Sequence, residues 1–113
     1  MTDVSSPPGT GDEHPVLRLD DTIHQRARLG ILAVLSETAR ADFVYLRDAL
    51  GLTDGNLSRH LSVLEDAGLI KITKVFEGRR PRTWAQSTRK GAAALASELE
   101  ALRDLLSRLD GGT

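Results

Sequence analysis

A chain of 113 residues holds one modest core plus tails, and its 40% hydrophobic and 27% charged content is that of an ordinary soluble domain. The absence of cysteine excludes disulfides, thiolate catalysis and cysteine-based zinc sites, and no apolar run reaches the ~20 residues that span a bilayer. The net charge of −1 hides an asymmetry: residues 58–90 carry eight Lys or Arg against three acids, whereas 1–57 and 91–113 are both net acidic.

Local charge governs nucleic-acid affinity better than the total does, so the basic third of the chain draws attention first. Residues 1–15, with Ser5-Ser6-Pro7-Pro8-Gly9 and almost nothing to bury, read as a disordered tail. They lack the basic and apolar regions of a signal peptide, so a cytoplasmic location is expected. A first helix is expected from about Thr22 to Glu37, capped by Asp21 or Thr22. Ile23, Ala27, Gly30, Ile31 and Val34 form one stripe, with Leu29 and Leu32 on roughly the opposite side. That second apolar face suits either a second subunit or the C-terminal helix of the same chain.

Asp42 is a good N-cap for a short helix through Leu50, whose Phe43, Leu46, Ala49 and Leu50 can face inward. Gly51 suits a left-handed C-terminal position, Leu52 can tuck under the turn, and Thr53 offers its hydroxyl to the amides of the next helix. Helix, glycine turn and capped helix make the sequence form of a helix-turn-helix. In the third helix Leu57, Leu61 and Leu64 recur at spacings of four and three, which places them on one stripe. The outward side carries Asp54, Asn56, Ser58, Arg59 and Ser62, small or hydrogen-bonding groups with no large apolar side chain. A helix fastened by three leucines behind a smooth polar face is shaped to lie in a groove.

After Gly68 the period changes to two over Leu69–Phe76, Glu77-Gly78 marks a turn, and Arg82–Ser87 can return as a second strand. Pro81 lacks an amide hydrogen and belongs at an edge or loop. The tip gathers Arg79, Arg80 and Arg82, with Lys74 nearby. Thr88 can cap a last helix to about Asp110, in which Ala92, Leu95, Leu99, Leu102, Leu106 and Leu109 follow a three-four heptad rhythm. At ~1.5 Å per residue this helix is roughly 30 Å long, too long for so small a body to cover. A homodimer seam is the preferred reading; an intramolecular brace is the alternative.

These residues resemble the winged helix-turn-helix domains of MarR/ArsR-like transcriptional regulators, and among them the compact group with one winged-helix domain and a C-terminal dimerisation helix. The likeness rests on Arg28-Leu29-Gly30-Ile31-Leu32, Phe43-Val44-Tyr45-Leu46, Asn56-Leu57-Ser58-Arg59-His60-Leu61 with Leu64, Ala67-Gly68-Leu69-Ile70, the wing Glu77-Gly78-Arg79-Arg80-Pro81-Arg82-Thr83-Trp84, and Thr88 with Gly91. It covers about residues 16–109. Ser87 departs from the pattern, standing where similar proteins usually place an apolar residue. His14, His24 and His60 are scattered, without the cluster of a metal-sensing relative.

The resemblance implies a mainly α (α+β) fold: a winged helix-turn-helix domain over 16–87 with a two-stranded wing, and a long dimerisation helix over 88–113. It also implies that the third helix enters the major groove of double-stranded DNA while the wing reaches an adjacent minor groove. Chemistry agrees, since Arg59 can pair with guanine and Asn56 with adenine. Thr53, Ser58, His60 and Ser62, on the face that also bears Asp54, suit phosphates, and His60 is equally open to a purely structural role. Arg79, Arg80 and Arg82, with Lys74, suit sequence-tolerant backbone contact or a narrow minor groove. Trp84 reads as core or wing-base packing rather than a stacking platform. Leu29, Leu32, Ala92, Leu95, Leu99, Leu102, Leu106 and Leu109 are the expected dimer interface.

The function expected is a homodimeric, sequence-specific DNA-binding transcriptional regulator. A protein-interaction module of the same fold is the alternative and predicts no salt-dependent affinity for DNA. Catalysis has no support in the sequence: there is no Gly-rich phosphate loop and no Ser-His-Asp arrangement. Neither a metal nor a cofactor is expected. A small apolar effector between the first and last helices is compatible with the residues but not demanded by them.

Overall fold

The computed structural model describes residues 14–111. Most of the tail expected over 1–15 lies outside the described residues. Pro15 is within them and is buried: it opens a 3-10 helix, Pro15–Arg18, that packs against the last helix of the chain. Arg18 there forms an ion pair with Asp104.

The first helix, α1 (Arg26–Ser36), starts four residues later than its apolar spacing suggested. Asp20 is the reason. Its carboxylate accepts from Thr22 N at 2.8 Å and its carbonyl from Ile23 N and His24 N, closing a tight turn that competes with helix. Gln25 then provides the cap, its side chain accepting from Arg28 N at 3.0 Å. Ile23 stays fully buried from within the turn.

A two-residue strand, β1 (Ala41–Asp42), follows, and Asp42 caps α2 (Phe43–Leu50) by accepting from Tyr45 N. Gly51 ends α2 at φ 65°, a conformation that costs an L side chain a clash, and Leu52 N then reaches back to the Arg47 carbonyl. Thr53 Oγ1 accepts from Asn56 N at 3.1 Å and opens α3 (Asp54–Asp66), which buries Leu57, Leu61 and Leu64. The hairpin strands are β2 (Ile70–Glu77) and β3 (Arg80–Ser87). Their register, Glu77 opposite Arg80 and Ile70 opposite Ser87, leaves Gly78-Arg79 as a two-residue turn. Pro81 falls within β3, where β2 lies on one side only.

The sheet has three strands in the order β1-β3-β2, all antiparallel: the two strands of the expected wing and, beside them, β1. β1 pairs Ala41 with Ala85 and Asp42 with Trp84. Two residues are too few to show a period of two, so this strand had no signature in the sequence.

Thr88 caps α4 (Arg89–Leu109), accepting from Gly91 N at 3.0 Å. Its start is latched to the end of α3: Thr88 Oγ1 donates to the Gly68 carbonyl and Lys90 Nζ to that of Ala67. Gly91 permits the approach, because a Cβ there would collide with the Leu69 carbonyl. The core joins Ile31, Leu32 and Leu35 of α1 to Leu46, to the three leucines of α3 and to Leu69, Ile70, Ala85 and Leu95.

α4 carries two stripes, not one. Gly91, Leu95, Glu98 and Ala101 face the body of the chain. Leu99, Leu106 and Leu109 are exposed, at 58% and 73% for the last two, with Leu102 half-buried and Ala92 exposed. Two of the expected interface residues therefore need correcting. Leu32 (1% exposed) and Leu95 (7%) are consumed by the chain's own core and have no surface left for a partner. Leu29 is half-buried against the same core.

Candidate nucleic-acid interface

The outward face of α3 is built by the leucine stripe behind it. With Leu57, Leu61 and Leu64 turned inward, Asn56, Ser58, Arg59 and Ser62 are exposed on the other side. Arg59 Nη2 donates to Asn56 Oδ1 at 2.6 Å, so the two side chains best suited to base edges form one unit a turn apart. Asp54 lies at the start of the helix and is paired with Arg47 of α2, Oδ1 to Nη1 at 2.9 Å. Arg47, which also contacts Asp48, sits on a helix whose solvent face has no periodic mark, so no spacing pointed to it.

His60 sits at the flank of this face, half-buried, and its Nδ1 is shut from solvent with no hydrogen-bond partner among the described residues. Burial lowers its pKa below that of an ordinary histidine, with Arg28 and Arg59 adding to the effect. A neutral ring at this place is a poor phosphate anchor.

The wing divides its cations between two faces. Alternation places Ile72, Lys74 and Phe76 on one face of β2, and Ile72, Lys74 and Thr83 line a cleft against Ser58 and Ser62 of α3. Lys74, Arg79 and Arg80 are exposed. Arg82 is not at the tip. Its Nε and Nη2 donate to Asp42 Oδ2 at 3.0 and 2.8 Å, and its Nη1 donates to Glu77 Oε1 at 2.6 Å. Two carboxylates thus occupy the guanidinium expected on DNA, and it serves as a brace between the wing and the N-terminus of α2.

Trp84 lies at the wing base with the Arg40 guanidinium 3.9 Å and that of Arg82 4.8 Å from its ring centre. Among the described residues no group of three His, Asp or Glu side chains gathers to hold a metal ion, and no helix is long and apolar enough to cross a membrane.

A glycine-turned helix pair, an exposed polar second helix and an antiparallel basic hairpin beside it define a winged helix-turn-helix DNA-binding protein. Residues 27–106 match the model of the winged helix DNA-binding domain family, and the chain belongs to that family. It is 34% identical over 83 residues to an uncharacterised protein of Methanocaldococcus jannaschii, covering 74% of this chain and 90% of the relative. A solved transcriptional regulator homologue from Pyrococcus horikoshii is similar at 36% identity and TM-score 0.74, covering 79% of this chain and 88% of that one. In fold alone the chain is also similar to a Mycobacterium tuberculosis transcriptional regulator solved in complex with DNA, at 22% identity, TM-score 0.62 and coverage of 81% and 65%. The structural neighbours are MarR-like regulators, and family and fold are those of DNA-binding transcriptional regulators rather than of enzymes.

Proposed function

We propose that the chain regulates transcription as a homodimer that binds a pseudo-palindromic duplex, with α3 of each protomer in the major groove and each wing on the neighbouring backbone or minor groove. The observation that carries this reading is the Asn56–Arg59 unit, exposed on a helix whose other side is locked by three buried leucines. Arg59 would read guanine and Asn56 adenine, each matching the donor and acceptor pattern of that base edge. Thr53, Ser58 and Ser62 would hold phosphates beside them, and Lys74, Arg79 and Arg80 would hold the flanking backbone. The outer stripe of α4, Leu99, Leu102, Leu106 and Leu109, supplies an apolar face for a second copy, and two-fold symmetry then sets half-sites roughly one helical turn apart.

The test is selection of bound sequences from random duplex DNA, followed by titration of the winner at two salt concentrations. A regulator of this kind loses affinity as salt rises, with a log-log slope of about 0.9 per phosphate neutralised. Charge reversal at Arg59 and at Arg80 should abolish binding while helix content stays intact. Affinity indifferent to salt and to both reversals would favour a protein-docking role for the same face.

A further inference from the structure

Phe76 is 76% exposed, the largest exposure among the described large apolar side chains. It lies one residue inside the hairpin turn, directly across from Pro81 on β3. Leaving such a ring in water is unfavourable, and among the described residues Phe76 is not one of the apolar side chains packed against the core. Its neighbourhood does not resemble the α4 stripe either. Lys74 precedes it on the same face, while Arg79 in the turn and Arg80, opposite Glu77 on the other face, follow it at the tip, all three exposed. An apolar side chain with cations close by along the same hairpin suits a surface with anionic walls that can open an apolar gap. The minor groove of duplex DNA meets this when a base step unstacks: phosphates line both sides, and the parted bases expose their apolar faces between them.

We infer that Phe76, backed by Pro81, is an apolar wedge that enters the minor groove beside each half-site and partly unstacks one base step. The inference rests on the DNA-binding reading above and adds to it a deformation of the duplex. Direction agrees: alternation puts Phe76 on the face of β2 shared with Ile72 and Lys74, which line the cleft against Ser58 and Ser62 of α3. A duplex lying on α3 therefore meets the Phe76 side of the wing. Wedges of Phe, Leu or Pro between base steps kink DNA toward the major groove, and the lysine and arginines would hold the backbones while the ring enters. Pyrimidine–purine steps such as TA and CA unstack most easily, so one of them is expected at the wing position of bound sequences.

The experiment uses the full chain and 40-bp duplexes that the unaltered protein selects from a random pool. Permanganate reactivity reads unstacked thymines, and circularly permuted probes read the bend. The unaltered protein should make a single thymine step reactive beside each half-site and bend the probe. Phe76→Ala should lose the reactivity and the bend and bind roughly tenfold more weakly, with an unchanged thermal midpoint, and Phe76→Leu should keep all three signals. Tight binding without any reactive step, or reactivity and bend that persist in Phe76→Ala, overturns the wedge alone. Failure of the unaltered protein to select any duplex overturns the DNA-binding reading and the wedge together.

Discussion

The two oxygens of the Asp42 carboxylate hold two different parts of the molecule: Oδ1 accepts from Tyr45 N at the start of α2, and Oδ2 accepts from Arg82 Nη2 on the wing, each at 2.8 Å. Helix α2 and the hairpin therefore share one anion. The Tyr45 amide first, and the Arg82 guanidinium next, hold its pKa below the usual carboxylate range. A carboxylate whose folded-state pKa is depressed adds stability that is fully present above its ordinary value near 3.8 and is lost as pH falls through the lower folded value. Asp42→Asn keeps a good N-cap and deletes the charge. Thermal midpoints followed from about pH 5 to pH 2 should thus fall more steeply for the unaltered chain than for Asp42→Asn. Parallel curves would show that the Arg82 contact contributes nothing. Asp42→Ala removes the cap as well and should cost about 0.5–2 kcal/mol at neutral pH.

The same contact separates the wing arginines by role. Arg79 and Arg80 are exposed at the turn, whereas Arg82 is held by Asp42 and Glu77. Replacing Arg79 or Arg80 by Ala should each lower the salt slope of DNA binding by about 0.9, at little cost in stability. Arg82→Ala should lower the melting temperature and leave the slope nearly unchanged. A slope that drops by a full unit for Arg82→Ala would place that side chain on a phosphate after all.

The Asn56–Arg59 unit has a specificity signature. Arg59→Lys retains the charge and loses the planar fork that meets two guanine acceptors at once. Discrimination at one base pair should relax by about 1–3 kcal/mol, measured by competition among single-mismatch duplexes, while affinity for unrelated DNA stays near its original value. Uniform weakening across all sequences would instead mean that Arg59 is a backbone contact.

What the sequence made legible was local. The caps Asp42, Thr53 and Thr88, the glycine turn at Gly51 and the three leucines of α3 each depend on neighbours within a turn, and all stand where spacing put them. What it hid was long-range. Arg82 and Asp42 are 40 residues apart, and Asp20 and Glu98 are 78 apart, so neither pair leaves a periodic trace. Leu95 misled for a different reason: the three-four rhythm of the outer α4 stripe and the inner stripe Gly91, Leu95, Glu98 and Ala101 both pass through it. A heptad pattern cannot say which of two adjacent stripes the protein keeps for itself. Of the candidate interface, the α3 face was readable because its leucines are local, while the division of the wing cations depended on a carboxylate from another element.

That division of α4 makes a paired prediction. Leu106→Glu with Leu109→Glu alters only exposed positions and should convert a dimer to a monomer by light scattering, with little change in secondary structure. The melting temperature of the unaltered chain should rise with protein concentration, and that dependence should vanish in the double variant. Leu95→Ala should cost about 2–5 kcal/mol through a core cavity, whatever the oligomeric state. A double variant that keeps the mass and concentration dependence of the unaltered chain would move the dimer contact elsewhere.

The turn just before α1 is held by a side chain of α4. Glu98 is buried, its Oε1 accepts from Asp20 N at 2.9 Å, and His24 Nδ1 lies 2.9 Å from Oε2. Asp20 in turn closes the turn that delays α1 and buries Ile23. The Asp20 amide is part-buried, so removing its acceptor in Glu98→Ala should destabilise the chain by up to about 1–3 kcal/mol. Glu98→Gln retains an oxygen for the Asp20 amide and should cost less. The loss should begin locally: amide hydrogen exchange at Ile23 and His24 should accelerate in Glu98→Ala before the amides of α3 respond, because this segment is held from outside its own backbone. Unchanged exchange at Ile23 in that variant would mean that the turn is stable alone and that Glu98 merely covers it.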